Sequence, residues 1–314
     1  MTSVDSVAQP PVARSGGHQP RPSMRRGTRR WSVIFLSPAL LVIGLFTLVP
    51  MMLTFWISLH RWSMFTPITE MTWVGVDNYV SLFADSARVQ AIWNTIAYVG
   101  LSALITIPVA LLVALLLYFP TLKGKGIVRV LLFATYVIPT IAIVIIWGNI
   151  YAPGYGPLSA MLAAVGVSAP GWLSDPSWAL LSIVIFNVWQ MLGYYVILLI
   201  AGLTQIPQEL YEAAKVDGAG AVRQTWSITI PLLRPSLVFV ALMTFVNSIQ
   251  VFDPIYLLTQ GGPANATNVV SFDIQRTAFQ YGMAGDASAL AVSLFMLILV
   301  VGGALGMMMR GRRS

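Results

Sequence analysis

The sequence predicts an all-α protein that crosses a membrane several times, and three observations lead there. Hydrophobic residues make up 57% of the chain and charged residues 9%, with a mean hydropathy of +0.78, whereas about one-quarter of an ordinary soluble domain is charged. Six apolar runs reach the roughly 20 residues that a spanning helix needs. The 18 Lys and Arg residues gather at the ends of those runs and form no basic face. The net charge of +7 therefore speaks for a lipid bilayer and not for nucleic acid.

In chain order, residues 1–30 mix Pro, Gly, Ser, Gln and Arg without apolar periodicity. A disordered basic tail is expected there, because such a segment buries too little surface to offset the entropy of ordering. Arg25, Arg26, Arg29 and Arg30 precede the first run, 31–58, which is too long for a signal-peptide core and has no persuasive cleavage site, so it reads as a retained anchor. Runs at 94–119, 127–151, 178–203, 231–258 and 287–309 complete six helices in one transmembrane domain, 31–314. Pro50, Pro108, Pro139 and Pro254 fall inside runs, where a missing amide donor kinks a helix.

Fifteen of the cations lie in the tail, the 120–129 turn, the region from Lys215 to Arg234 and the C-terminus. Only Arg61, Arg88 and Arg276 lie in the alternate segments 59–93, 152–177 and 259–286. By the positive-inside rule both termini and the loop 204–230 face the cytoplasm. The opposite segments carry Trp62, Trp73, Trp93, Trp172 and Trp178, whose rings suit a membrane interface, and 157–166 reads as a short helix lying on that surface.

The loop 204–230 is polar between two apolar runs. Pro207 is placed to open a short helix through Gln208–Ala214, since the first helical position needs no donor, and Gly218 is placed to stop it in the left-handed conformation. Glu212, Ala213 and Ala214, then Gly218 after three residues, then Ile228, Thr229, Ile230 and Pro231 after nine more, resemble the EAA loop of ATP-binding-cassette importer permeases. Ile230 stands where that family usually has Leu, a conservative exchange. The stretches TWVGVDNYVSLF, NVWQMLGYYVILLIAGLTQIPQELYEAAKVDGA and FDPIYLLTQGGP, with Gly261, Gly262 and Pro263, extend the resemblance to the carbohydrate-uptake class of maltose and glycerol-phosphate type.

The resemblance implies a six-helix permease in the cell membrane, half of a heterodimer. A cytoplasmic coupling helix between helices 4 and 5 would contact the ATPase through Glu212, Ala213, Ala214, Asp217, Gly218 and Pro231. The partners it implies are a second permease, two ATPase subunits that use ATP and Mg, and an external solute-binding protein. The work it implies is inward transport of a sugar or sugar-like solute by alternating access.

Residue inventory points away from catalysis. There is no Cys, His18 lies in the tail and His60 at an interface, so neither a metal set nor a Ser and His arrangement can be built. Gly124, Lys125 and Gly126 lack the spacing of a phosphate loop, and no bound cofactor is expected. Asn187, Gln190 and Tyr194 recur at i, i+3 and i+7, and Thr244, Asn247 and Gln250 at i, i+3 and i+6, each set on one side of its helix. These polar groups, with Trp189 or Tyr195 stacking on a sugar ring, fit either a substrate path or hydrogen bonds between helices. Asp253, roughly 33 Å along a continuous helix from Pro231, fits either a path residue or an acid at the headgroups. With no Lys or Arg deep in the spans, a neutral or zwitterionic solute is the easier cargo. A stand-alone ion-coupled transporter is the alternative, but it calls for more intramembrane charge or a repeat.

Overall fold

The computed structural model describes residues 26–118 and 123–310. The predicted tail thus lies outside the described residues up to position 25, and from Arg26 the backbone is already helical. The chain divides into two units, Met1–Met52 and Leu53–Ser314.

The first unit holds α1 (Arg26–Ile43), a π-helical turn at Gly44–Leu48 and the start of α2 (Val49–Ser58). Val33–Ser58 is long and apolar enough to span a membrane, and large side chains on all sides of it, Leu41 and Phe46 among them, are exposed. A helix that is apolar all round suits hydrocarbon. The predicted break at Pro50 appears as the π turn just before it, since Pro50 has no amide to offer the carbonyl four residues back.

The second unit begins with a hairpin of β1 (His60–Arg61) and β2 (Thr72–Trp73), antiparallel with His60 opposite Trp73. The helices α3 (Asp77–Ala84), α4 (Ser86–Tyr118), α5 (Lys125–Val137), α6 (Thr140–Ile150), α7 (Pro157–Ala164) and α8 (Pro176–Leu203) follow. After them come α9 (Gln208–Val216), α10 (Ala221–Gln224), α11 (Ile230–Ile249), α12 (Asp253–Leu258), α13 (Val270–Gln275) and α14 (Ala284–Arg310).

Helix α8 is the spine of this unit. Asp175 caps it by accepting from the Ser177 amide at 2.8 Å, and Pro176 fills its first turn. Its buried Tyr195, Val196, Leu199 and Leu203 pack with Ala110 and Ala114 of α4 and with Leu233 and Val240 of α11. On another face, a Cβ at Gly193 would run into the carbonyl of Leu132, so the α5 backbone rests directly on α8. Small residues permit this approach between helices in a membrane.

Two predicted spans need correction and a third carries a short break. The run 127–151 is two helices, α5 and α6, bent by 101°. Pro139 drives Ile138 out of the helical region, to ψ 135°. The run 231–258 lies within one candidate span, Ala221–Leu258, whose helix is interrupted between Ile249 and Asp253, where Phe252 takes φ −138°. Pro254 sits in the first turn of that new helix, where its lost donor costs nothing. The distance drawn from Pro231 to Asp253 along one helix therefore does not hold. Helix α4, expected from 94, starts at Ser86, because Asp85 accepts from the Ala87 amide at 2.9 Å and begins the helix ahead of the apolar run.

Across the ends of these helices the predicted cations are engaged. Arg88, 8% exposed, pairs with Asp286 of α14 at 3.5 Å and with Asp85 at 3.7 Å. Arg276 pairs with buried Asp273 at 2.9 Å. The Asn94 amide donates to the carbonyls of Asn265 and Asn268 at 2.8 and 2.9 Å, which fastens the segment after Gly261, Gly262 and Pro263 to α4. Gly261 is required there: its φ is +82°, and a Cβ would lie 2.8 Å from the Phe272 ring.

The α5–α8 contact yields a test. Gly193→Val should destabilise the chain by about 3 kcal/mol or more, at or beyond the upper end of overpacking costs, because backbone opposes the new atoms. Gly100→Val, at a position where a Cβ meets nothing within 4 Å, should leave thermal unfolding in detergent unchanged. Equal melting of the two variants would remove the close approach from the account.

Candidate functional site

Two groups of residues singled out in the sequence are separate in the fold. The first is the segment from Gln208 to Pro231. Pro207 precedes α9 with ψ 132° and does not form its first turn, a shift of one residue from expectation. The helix runs two residues past Ala214, to Val216, and then closes on itself. The Ala219 amide donates to Ala214 O at 2.8 Å and the Gly218 amide to Lys215 O at 3.0 Å, while Gly218 takes φ +74°. These two bonds form a Schellman ending, which needs a residue at ease in the left-handed region.

Glu212, Ala213, Asp217, Gly218 and Pro231 are exposed and Ala214 is half-buried. Beside them Val216 is 88% exposed and Trp226 68%, large apolar groups on an otherwise polar surface. The opposite side of α9 is anchored: Tyr211 packs on the α4–α8–α11 core, and its hydroxyl lies 3.0 Å from that of Thr229. Thr229 ends a π turn, Thr225–Thr229, that leads directly into α11. A cavity of about 370 Å³ remains between α9 and the ends of α4 and α8, with Tyr118, Leu203, Gln208 and Lys215 in its walls.

The second group is polar and aromatic. Gln190 is 2% exposed and donates to Thr140 Oγ1 at 2.9 Å, so its amide joins α8 to the first residue of α6. Asn187 and Thr244 are also buried. Asn247 donates to the Tyr195 hydroxyl at 3.0 Å, joining α11 to α8. Tyr194 stacks on Tyr136 of α5 with ring centres 4.7 Å apart and planes 16° from parallel. Trp189 lies 5.3 Å from Trp147 and keeps 39% of its surface exposed. Gln250 and Asp253 are exposed, and they sit outside α11. The seven predicted path residues thus do not share one surface.

With both groups in place, the chain can be compared with known proteins. The family model described as a binding-protein-dependent transport system inner membrane component matches residues 106–310. The chain belongs to this family. It is 37% identical over 269 residues to the trehalose/maltose transport system permease protein MalF of Thermococcus litoralis, covering 85% of this chain and 89% of that one. It is 31% identical over 279 residues to the sulfoquinovosyl glycerol transport system permease protein SmoG of Agrobacterium fabrum, covering 88% and 89%. Among solved structures, a bacterial transporter involved in import of the acidic polysaccharide alginate aligns with TM-score 0.78 and 25% identity, over 91% of this chain and 98% of that one.

Family membership covers α9 and everything packed on it, and it agrees with a multi-pass membrane protein. Sequence reasoning named Thr229 in the motif and Tyr211 in the predicted helix but missed their contact, and it missed Tyr136 and Thr140, which meet the predicted polar residues across helices. None of these pairs is closer than 18 positions in sequence, so no local spacing reports them. The tie is testable. Tyr211→Phe removes a bond worth about 1 kcal/mol, so amide exchange across Gln208–Val216 should rise about fivefold while global unfolding stays the same. Unchanged exchange would mean the hydroxyl pair holds nothing.

Proposed function

We propose that this chain is a membrane-spanning permease subunit of an ATP-driven importer that moves a sugar or sugar-like solute inward by alternating access. The observation that carries the proposal is the exposed EAA segment. Glu212, Ala213 and Gly218 present a surface with apolar neighbours, while Tyr211 on the other side grips the foot of α11. A subunit that pulled on this surface would move a spanning helix. In this reading α9 is the coupling helix, facing the cytoplasm as the distribution of Lys and Arg suggests.

Energy comes from two ATPase subunits, which bind ATP and Mg. A second, homologous permease completes the path and an external solute-binding protein delivers the cargo. Support comes from the family description and from relatives whose names include trehalose, maltose and sulfoquinovosyl glycerol. A neutral sugar is favoured for this chain, because the cations within the spans, Arg88, Arg129 and Arg234, each lie in the first two turns of a helix. A partner permease that supplies charge would extend the range to anionic sugars. Trp189, Tyr194, Asn247 and Gln250 are the groups proposed to meet the solute.

The test is reconstitution of the complex with its binding protein and a screen of sugars for stimulated ATP turnover. Glu212→Ala and Gly218→Trp should each lower sugar-stimulated uptake about tenfold or more, equivalent to about 1.4 kcal/mol of coupling, while the chain still inserts. Accumulation of solute by the isolated chain on an ion gradient alone would replace this reading with an ion-coupled transporter.

A further inference from the structure

A groove of about 420 Å³ runs along the surface of α5 and is closed on one side by Ile197 of α8. Arg129, Val130, Phe133, Ala134 and Val137 line it at i, i+1, i+4, i+5 and i+8, one side of the helix, and Ile138 ends it. From Arg129 to Val137 the helix rises about 12 Å. All of its walls are apolar except at the Arg129 end.

Arg129 is incompletely satisfied. One Nη2 proton goes to Leu117 O at 2.9 Å, closing the end of α4; Nε is enclosed by the protein, so a ligand meets this group through its remaining Nη protons. No carboxylate pairs with this guanidinium among the described residues. Lys125 lies one turn earlier on the same helix and adds a second positive charge. An unneutralised guanidinium at the edge of hydrocarbon is costly, and a phosphate diester is the acceptor that matches its planar fork.

We propose that this groove holds a phospholipid of net negative charge, with its phosphate on Arg129 and one acyl chain along α5 and Ile197. A net negative headgroup is specified because no acid offsets Arg129 and Lys125, so the cation of a choline headgroup gains nothing there. The occupant is a lipid because the groove lies beside α8, which is long and apolar enough to span a membrane, with Val130 and Val137 more than 60% exposed along it. The inference rests on the membrane fold alone and not on the transport reading, so it survives or fails whatever the cargo proves to be.

The experiment uses the assembled transporter in vesicles containing a diazirine-bearing phosphatidylglycerol or its phosphatidylcholine counterpart, with labelled peptides mapped after illumination. Phosphatidylglycerol should label the peptide containing Lys125–Val137 about fivefold more than phosphatidylcholine, the factor for about 1 kcal/mol per cation at a membrane surface. Arg129→Gln should bring the two to the same level. Ala134→Phe fills the groove while leaving Arg129 and its bond to Leu117 in place, and should lower labelling by both lipids. If Arg129→Gln does not fold, Ala134→Phe decides alone. Labelling undiminished in that variant, equal labelling of the wild type by both lipids, or protection of the peptide by the second permease would each overturn the proposal.

Discussion

The structure of the larger unit depends on one close approach of two backbones, α5 onto α8 at Gly193. A chain that leaves the helix inside hydrocarbon must find partners for the freed groups within the protein, and the 101° bend between α5 and α6 does so. Gly193 admits the Leu132 carbonyl, which brings Thr135 near enough to donate to Gln190 O at 3.2 Å. The Gln190 side chain then reaches across the bend to Thr140. Both halves of the broken span are therefore hydrogen-bonded to α8.

Helix α11 is attached to α8 in another way. Asn247 meets Tyr195 and Gly202 leaves room for Ser236, while the buried hydroxyls of Ser248 and of Thr106 on α4 find no hydrogen-bond partner among the described residues. No side-chain hydrogen bond joins α4 to α11 among the described residues, so that seam rests on apolar packing, with Ala110 and Ala114 in one cluster with Leu233 and Val240. At its foot, α11 continues through a π turn to α10 and is tied to α9 by Tyr211 and Thr229. Under the proposed function, a push on α9 is passed to α11, while the joint at Gly193 holds α5 on α8.

How much of this was legible follows from how far apart the deciding residues lie. Spans at 178–203 and 287–309 were readable to within three residues, because Asp175–Pro176 caps the first and no Pro interrupts the second. Pro139 and Pro254 were visible, but sequence does not say whether a Pro bends a helix, as a π turn absorbs it before Pro50, or separates two helices, as it does here. The outcome depends on whether a neighbour such as Gln190 is present to hold the second piece. Gly218 was readable as a stop because its role is local. The partnership of Tyr211 with Thr229 was not, since it depends on the chain turning back over 18 residues.

The polar residues of α8 show why spacing alone leaves their role open. Helical periodicity places Asn187, Gln190 and Tyr194 on one side, yet that side is divided between two environments. Gln190 points into the protein, where an unpaired amide would cost several kcal/mol in hydrocarbon, and its bond to Thr140 removes that cost. Four residues on, Tyr194 reaches the rim and stacks on Tyr136, with Trp189 open nearby. A sugar is recognised by ring faces and hydrogen-bonding groups that it can reach. Under the proposed function, the groups of α8 within a sugar's reach are Trp189 and Tyr194, whereas Gln190 is committed to Thr140.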